Sequence, residues 1–314
     1  MNGAAPANPD KTPALLLRLE LGALGVGVLG SVLCTVEARL HPAQFLHSYL
    51  LAYIFYASIA LGCLAILMMN HLTGGAWGRV PRPILESAAK TTPLLLLLFV
   101  PIVLGRRWLY PWARPEEVAH SLHLQGRHAY LNLPFFLIRS AVFFALWIAL
   151  GYLLAAWSKR QRVAEGASLA DELSRWMRML SGPGLVIYGL TVSFAFLDWV
   201  MALRVVWEST IFGLVIITSQ GLSAYAFVIV ALGVLTLGPP TPLSRALSPK
   251  LLHDLGNLLQ SFVLLWAYMA FSQLLIIWAG NLPAEIGWYL HRLQTSWRSL
   301  GLVLVFGHYA LPFF

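Results

Sequence analysis

The chain has 314 residues, of which 59% are hydrophobic and only 11% charged, and its mean hydropathy is +0.73. A soluble domain of this size could not carry such a composition without large exposed apolar patches, which excludes a water-soluble enzyme or binding module. The net charge of +8 would suggest nucleic acid in a soluble protein; here it reads as the basic bias of cytoplasmic loops, so lipid and not nucleic acid is the expected surroundings.

Eight apolar stretches, each near the roughly 20 residues that a helix needs to cross the hydrocarbon, fill the sequence. They run near Leu15–Val36, Phe45–Met69, Ser87–Leu104, Leu133–Trp157, Leu185–Leu203, Ser209–Leu237, Leu255–Ala279 and Ser299–Phe314. They are too long and too uniformly apolar for the alternating strands, about ten residues each, of a membrane β-barrel. The expected fold is therefore an all-α polytopic membrane protein, one integral-membrane domain over 1–314. Spans two and six both begin with small or polar residues (His47-Ser48-Tyr49 and Ser209-Thr210). That weak repeat divides the chain into an N-terminal segment with the first span (1–44), a four-helix bundle (45–203) and a second bundle (209–314). The last apolar stretch ends at Ala-Leu-Pro-Phe-Phe, which suggests further helices beyond it.

The first dozen residues are rich in Pro, Ala and Asn, and no signal peptide is visible. Alternate loops hold 12 Lys and Arg on the side of the N-terminus against 8 on the other, which places the N-terminus in the cytoplasm. Gly74-Gly75 can cap the second span, Gly182-Pro183-Gly184 can open the fifth, and Gly238-Pro239-Pro240-Thr241-Pro242 stops the sixth. The longest hydrophilic stretches are Arg106–Asn132 and Ser158–Gly182, the second able to form a short surface helix over Leu169–Leu180. Trp and Tyr near span ends (Trp108, Tyr110, Trp112, Trp199, Trp207, Trp278, Trp288, Tyr289 and Trp297) form the aromatic belt expected at headgroup depth, with anchoring as their expected role. Cys34 and Cys63 fall in different spans and read as small buried hydrophobes.

Ionisable and amide side chains inside the spans carry the functional argument. Each charge at a helix centre costs about 2.5–3.5 kcal/mol on insertion scales, so such residues face the bundle interior and mark a pathway or a paired site. With the N-terminus in the cytoplasm, Asp198 lies roughly 21 Å from the cytoplasmic face, at 1.5 Å per residue. Arg139, His47 and Gln273 reach the same outer third. Gln220 and His308 fall near mid-depth, and His71, Lys90, Asp254 and Gln260 lie toward the cytoplasm. On the seventh span Asp254, Asn257, Ser261, Tyr268 and Ser272 recur at helical spacing, a stripe that should face helices or water; interhelical hydrogen bonds of about 0.6 kcal/mol each are the structural alternative. A lone buried carboxyl at Asp198 favours its protonated form and a neighbouring Arg139 its ionised form, so the two can load and release a proton. His47 and His71 sit near interfaces, where a solvated or capping role is as good a reading. Tyr49, Tyr53 and Tyr56 form an aromatic stripe that suits packing better than a quinone-ring platform. The candidates for a proton pathway are thus His47, His71, Arg139, Asp198, Gln220, Asp254, Gln260, Tyr268 and His308. No Cys set suits an iron–sulfur cluster, no C-x-x-C-H attaches a haem, and His47, His71 and His308 lie at three levels, which disfavours a bound b-type haem. Neither a catalytic nor a metal site is expected.

Several runs resemble the F subunit of alternative complex III, a bacterial quinol:cytochrome c oxidoreductase. They are FLHSYLLAYIFYASIALGCLAILMMNHLTGGAWG from Phe45, LYPWA (Leu109–Ala113), YLNLPFFLIR (Tyr130–Arg139), SGPGLVIYGLTVSFAFLDWVMAL (Ser181–Leu203), DLGNLLQSFVLLWAYMAFSQLLIIWAGNLPAEIGWYL (Asp254–Leu290) and the closing HYALPFF. The resemblance implies an NrfD/PsrC-like protein of about ten helices in the bacterial cytoplasmic membrane, in two four-helix bundles with flanking helices. It further implies a complex with a sister NrfD-like subunit, an iron–sulfur protein and c-type cytochrome subunits, with quinol oxidised mainly at the sister subunit and a polar proton path through this one. One departure is notable: after DWVMAL the family usually runs Glu-Pro-His-Trp, whereas here Arg204-Val205-Val206-Trp207-Glu208 follows. The outer end of the path then depends on whether Glu208 substitutes. The leading expectation is a scaffolding, proton-conducting subunit that binds no cofactor itself. The others are a chain that itself holds quinol, with Asp198 or His47 taking its proton, and a stand-alone secondary transporter. The last is disfavoured because Pro93 and Pro101 interrupt only the third span.

Overall fold

The computed structural model describes residues 11–205, 207–236 and 242–313. The expected stop of the sixth span at Gly238–Thr241 lies outside them. Among the described residues all regular structure is helical, and seven helices are long and apolar enough to cross a membrane. The protein is an all-α polytopic membrane protein. We number the long helices α1 (Lys11–Leu40), α2 (Pro42–Thr73), α3 (Arg82–Ala89), α4 (Thr92–Leu104), α5 (Leu133–Arg162), α6 (Ala167–Trp199), α7 (Phe212–Thr236), α8 (Pro249–Gly280), α9 (Pro283–Gln294) and α10 (Trp297–Val303). α3 and α4 together make the third span.

α2 is the central post. Its run Ala57–Met68 is buried on nearly every side, as expected of a helix that is apolar all round. α3, α4, α6 and α7 pack on it directly, and α5 closes the ring between α4 and α6. α7 then carries α8 on its far side. α1 rests along α2 with its apolar window wholly unburied within the chain, a surface suited to lipid.

Proline accounts for the irregular spans. Pro93 lacks the N–H that would reach the Ala89 carbonyl, and the third span breaks there. The Thr92 hydroxyl donates to that same carbonyl at 2.7 Å, and the Thr91 hydroxyl donates to the Ala88 carbonyl at 2.7 Å. Side chains thus replace lost ladder bonds, as a low-dielectric setting requires. Pro101 sits inside α4 and loosens the turn before it. Tyr49 and Tyr53 of α2 donate to the Leu98 and Leu95 carbonyls at 2.7 and 3.2 Å, which is how two members of the tyrosine stripe pack. Tyr56 points outward.

Two boundaries differ from expectation. The surface helix expected at Leu169–Leu180 is continuous with the fifth span, and Gly182-Pro183-Gly184 lies inside α6 instead of opening it. The reason is packing. Gly184 stands against Met68 and Leu150, so its lack of a side chain lets α6 approach α2 and α5. The eighth apolar stretch is not a single long helix: α10 passes into a π-helical turn over Leu304–Ala310 and a 3-10 turn over Leu311–Phe313.

The tightest helix crossing is α2 on α7. A Cβ on Gly62 would overlap the Gln220 backbone carbonyl and come within 2.9 Å of the Ala224 Cβ. Small residues at such crossings let backbones meet, the main source of attraction between helices in lipid. Gly62→Val is therefore expected to destabilise by about 3 kcal/mol or more, because backbone cannot move aside. Gly233→Ala, where a Cβ meets nothing within 4 Å, should be neutral. Thermal unfolding in detergent would compare them.

Candidate functional site

Asp198 occupies the last turn of α6 and Arg139 the second turn of its antiparallel neighbour α5, so chain direction alone brings them to one end of the bundle. A carboxylate in a helix's last turn opposes the helix dipole, so Asp198 depends on an outside partner. Arg139 supplies it in a two-pronged ion pair, Nε to Oδ2 at 2.8 Å and Nη2 to Oδ1 at 3.0 Å. Asp198 is 1% exposed and Arg139 8%. The third guanidinium nitrogen, Nη1, donates to the Tyr130 carbonyl at 2.9 Å. The guanidinium carbon lies 3.7 Å from the Tyr130 ring centre and 4.3 Å from that of Phe135, a geometry that also stabilises the cation. Local capping places these rings: the Asn132 side chain accepts from the Phe135 amide at 3.0 Å and starts α5. The Tyr130 hydroxyl is buried beside Asp198, and burial, reinforced by that carboxylate, pushes its pKa up to about 12.

Asp198 borders a cavity of about 230 Å³. Tyr130, Arg127, Arg204, Trp207 and Glu208 share its wall with Asp198. Arg127 pairs with Glu208 and also donates to the Val205 carbonyl. Glu208 thus stands at the same cavity as Asp198, the position that the departure at Arg204–Glu208 left open. The buried indole N–H of Trp207 has no partner, and its ring stacks on Trp288 at 5.2 Å. A volume of this size with several polar walls accommodates a handful of waters, each taking about 30 Å³.

Directly inward the polar character stops. Trp199 is surrounded by Phe99, Phe144, Phe196, Trp147 and Tyr53, with ring centres 4.8 to 6.0 Å apart, and all six are nearly or fully buried. The Tyr110 hydroxyl donates to the Trp199 carbonyl at 3.1 Å and closes this layer from the loop side; burial raises the pKa of that phenol. Below the layer, the Trp147 indole N–H donates to the Thr191 hydroxyl at 2.8 Å, and Tyr188 donates to the Gln220 side-chain oxygen at 2.5 Å. Gln220 is fully buried, and its amide nitrogen has no partner.

A third polar cluster lies at the opposite end of the bundle. Glu86, 4% exposed, accepts from both terminal nitrogens of Arg162 at 3.1–3.2 Å. Arg82 donates to Gln161 and Asn70, and Gln161 donates to Ser174. His71 is buried in this region with one ring nitrogen unpartnered.

The remaining sequence candidates lie apart from these clusters. His47 is exposed and bonded to its own helix through Ala43. On α8, Tyr268 is 64% exposed and Asn257 and Ser261 are exposed as well, so the polar stripe faces away from the contact with α7. α8 buries Leu251, Leu255, Val263, Gln273 and Ile277 instead, because apolar burial against α7 sets its rotation. Asp254 is half-buried near the start of α8. Gln260 and His308 line a separate large cavity. Of the nine candidates, Asp198 and Arg139 meet each other, Gln220 meets Tyr188, and His71 joins the inner cluster. Glu86, Arg162, Tyr130 and Tyr188 were not singled out. Glu86 precedes the third apolar stretch and reads as a loop charge, although its burial follows from Leu85 and Ala89 turning the same short helix inward.

Compared with known proteins, the chain matches no family profile and no curated sequence.

Removing one member of a buried ion pair strands the other and costs about 3–5 kcal/mol, whereas replacing both by apolar residues is often neutral. Asp198→Ala and Arg139→Ala should each destabilise by that amount. The double variant Arg139→Met/Asp198→Leu should recover most of the loss, as read from unfolding midpoints.

Proposed function

We propose that this chain is a multi-pass subunit of a respiratory quinol:cytochrome c oxidoreductase of the alternative complex III type, in a bacterial cytoplasmic membrane with its N-terminus in the cytoplasm. It scaffolds the assembly beside a sister NrfD-like subunit, an iron–sulfur protein and c-type cytochromes, and it conducts protons. The sequence resemblance supports the assembly. The proton role rests on one observation: a carboxylate buried at a span's end, held through both oxygens by a guanidinium, that also borders a cavity shared with Glu208.

In this reading Asp198 is the proton-loading group. Arg139 holds its carboxylate ionised and oriented, and a proton arriving on one carboxylate oxygen weakens the guanidinium's hold. Arg139 keeps its bond to the Tyr130 carbonyl meanwhile, so the cation never lacks a partner. Release is into the cavity, where Glu208 accepts the proton as the acidic group at the outer end. Seven residues separate Thr191 from Asp198 on α6, about 10 Å of helix, and the Trp199 layer fills that gap. Protons cross it when water enters, so the aromatic layer serves as the barrier against leak at rest. The Glu86–Arg162 and His71 cluster is the inner terminus.

Asp198→Asn keeps the shape of the side chain and removes its titration. In purified complex reconstituted into vesicles, proton movement reported by a pH-sensitive dye should fall at least tenfold, while subunit composition and quinol oxidation by the uncoupled complex persist. Undiminished proton movement would leave a scaffold without a conduction role.

A further inference from the structure

Charged groups inside a span ordinarily face the bundle interior or pair with one another. Lys90 does neither. It caps α3 at its C-terminal end, eight residues past Arg82 and so about 12 Å into the 23-residue third span. Its side chain is nevertheless exposed. Among the described residues its ammonium has no hydrogen-bond or ion-pair partner.

The seam between α3 and α5 runs beside it. Glu86 of α3 meets Arg162 of α5, and a Cβ on Gly151 would lie 3.4 Å from the Ala89 carbonyl oxygen. Alongside this seam each helix presents an exposed strip at i, i+4, i+7 spacing: Pro83, Ser87 and Lys90 on α3, and Tyr152, Ala156 and Lys159 on α5. The Tyr152 hydroxyl reaches the Lys90 carbonyl at 3.5 Å, so the strips adjoin. Because Glu86 pairs with Arg162 while Lys90 meets Tyr152, the helices are antiparallel. Lys159 therefore stands two turns, about 10 Å, nearer the cytoplasmic end than Lys90. Between the two lysines the strips carry Ser87 and Ala156, whose small side chains leave a slot.

Among the described residues no carboxylate pairs with either lysine. Glu86 is buried and committed to Arg162, and α5 has no acidic residue along its 30 positions. The counter-ion must come from outside the chain. At this depth, on a surface that faces lipid, the available anion is one carried by a lipid. The long stem of Lys90 lets its ammonium snorkel toward the headgroup layer to meet it. Deeper along α4 and α5, the exposed Leu97, Ala145 and Ala149 offer apolar surface to acyl chains. Two unpaired lysines favour a lipid of net negative charge, since a choline or ethanolamine headgroup would bring a cation of its own into the slot.

We infer that this slot binds an anionic phospholipid, its phosphate held between Lys90 and Lys159 with the Ser87 hydroxyl as a further donor. The site lies on the lipid-facing surface, apart from the Asp198 cavity, and holds whether or not the chain conducts protons.

The intact protein would be placed in nanodiscs of equimolar phosphatidylglycerol and phosphatidylcholine, each lipid in turn carrying a diazirine near its glycerol. Labelled peptides would be located after chymotryptic digestion. Phosphatidylglycerol should label 83–90 and 152–159 roughly fivefold more than phosphatidylcholine, the preference that two lysines near an anionic headgroup support. Lys90→Gln and Lys159→Gln should each lower that labelling roughly threefold, the double variant should bring it to the phosphatidylcholine level, and Lys90→Arg should retain it. Both side chains are exposed, so unfolding midpoints should match that of the unaltered protein. Equal labelling by the two lipids, undiminished labelling in the double variant, or loss of labelling when inorganic phosphate is added, the mark of a site for a soluble anion, would overturn the assignment.

Discussion

A guanidinium and a carboxylate withdrawn from water together are the constraint around which one end of this protein is organised. Leaving either Arg139 or Asp198 there without its partner would strand a buried charge at a cost of several kcal/mol. Their union requires the start of α5 and the end of α6 to lie side by side in a fixed rotation. It also recruits the preceding loop, because the third guanidinium nitrogen is satisfied by the Tyr130 carbonyl. The short helices between α4 and α5 are therefore part of the site and not a lid laid over it.

α5 carries a paired arginine near each end. Arg139 and Arg162 are 23 residues apart on one continuous helix, about 34 Å at 1.5 Å per residue, close to the hydrocarbon thickness of about 30 Å. The two pairs differ in kind. Asp198 and Arg139 are both buried, whereas Arg162 is half exposed and its attraction to Glu86 is screened by solvent. One end thus holds a dry, rigid pair and the other a wetter, adjustable one. Between them the Trp199 layer supplies most of the aromatic packing that fixes α2, α4, α5 and α6 relative to one another. The groups that make the bundle stable are also those that separate its polar ends.

A buried charge pair forms where two features coincide: an ionisable group deep in an apolar run, and an oppositely charged group at matching depth on a neighbouring span. Asp198 and Arg139 have both. His47 and Tyr268 have depth alone, and their helices rotate them outward because larger apolar surfaces compete for the interior. Glu86 has a partner in Arg162, but it sits at the edge of its apolar run, where charge density resembles a loop. Tyr188 and Gln220 lie on successive helices that pack directly, but their hydrogen bond depends on how each helix is rotated, which no spacing announces.

Composition and the lengths of apolar runs determined by themselves that this is an all-helical, multi-span membrane protein, because lipid leaves backbone polar groups no other way to be satisfied in such segments. Chain direction determined which ends meet. Helix rotation, the continuity of α6 through Pro183, the break at Pro93 and the two cavities were decided by tertiary structure. Each depends on which small residues let two backbones touch and which hydroxyls replace a missing N–H, and those are properties of neighbours brought together in space.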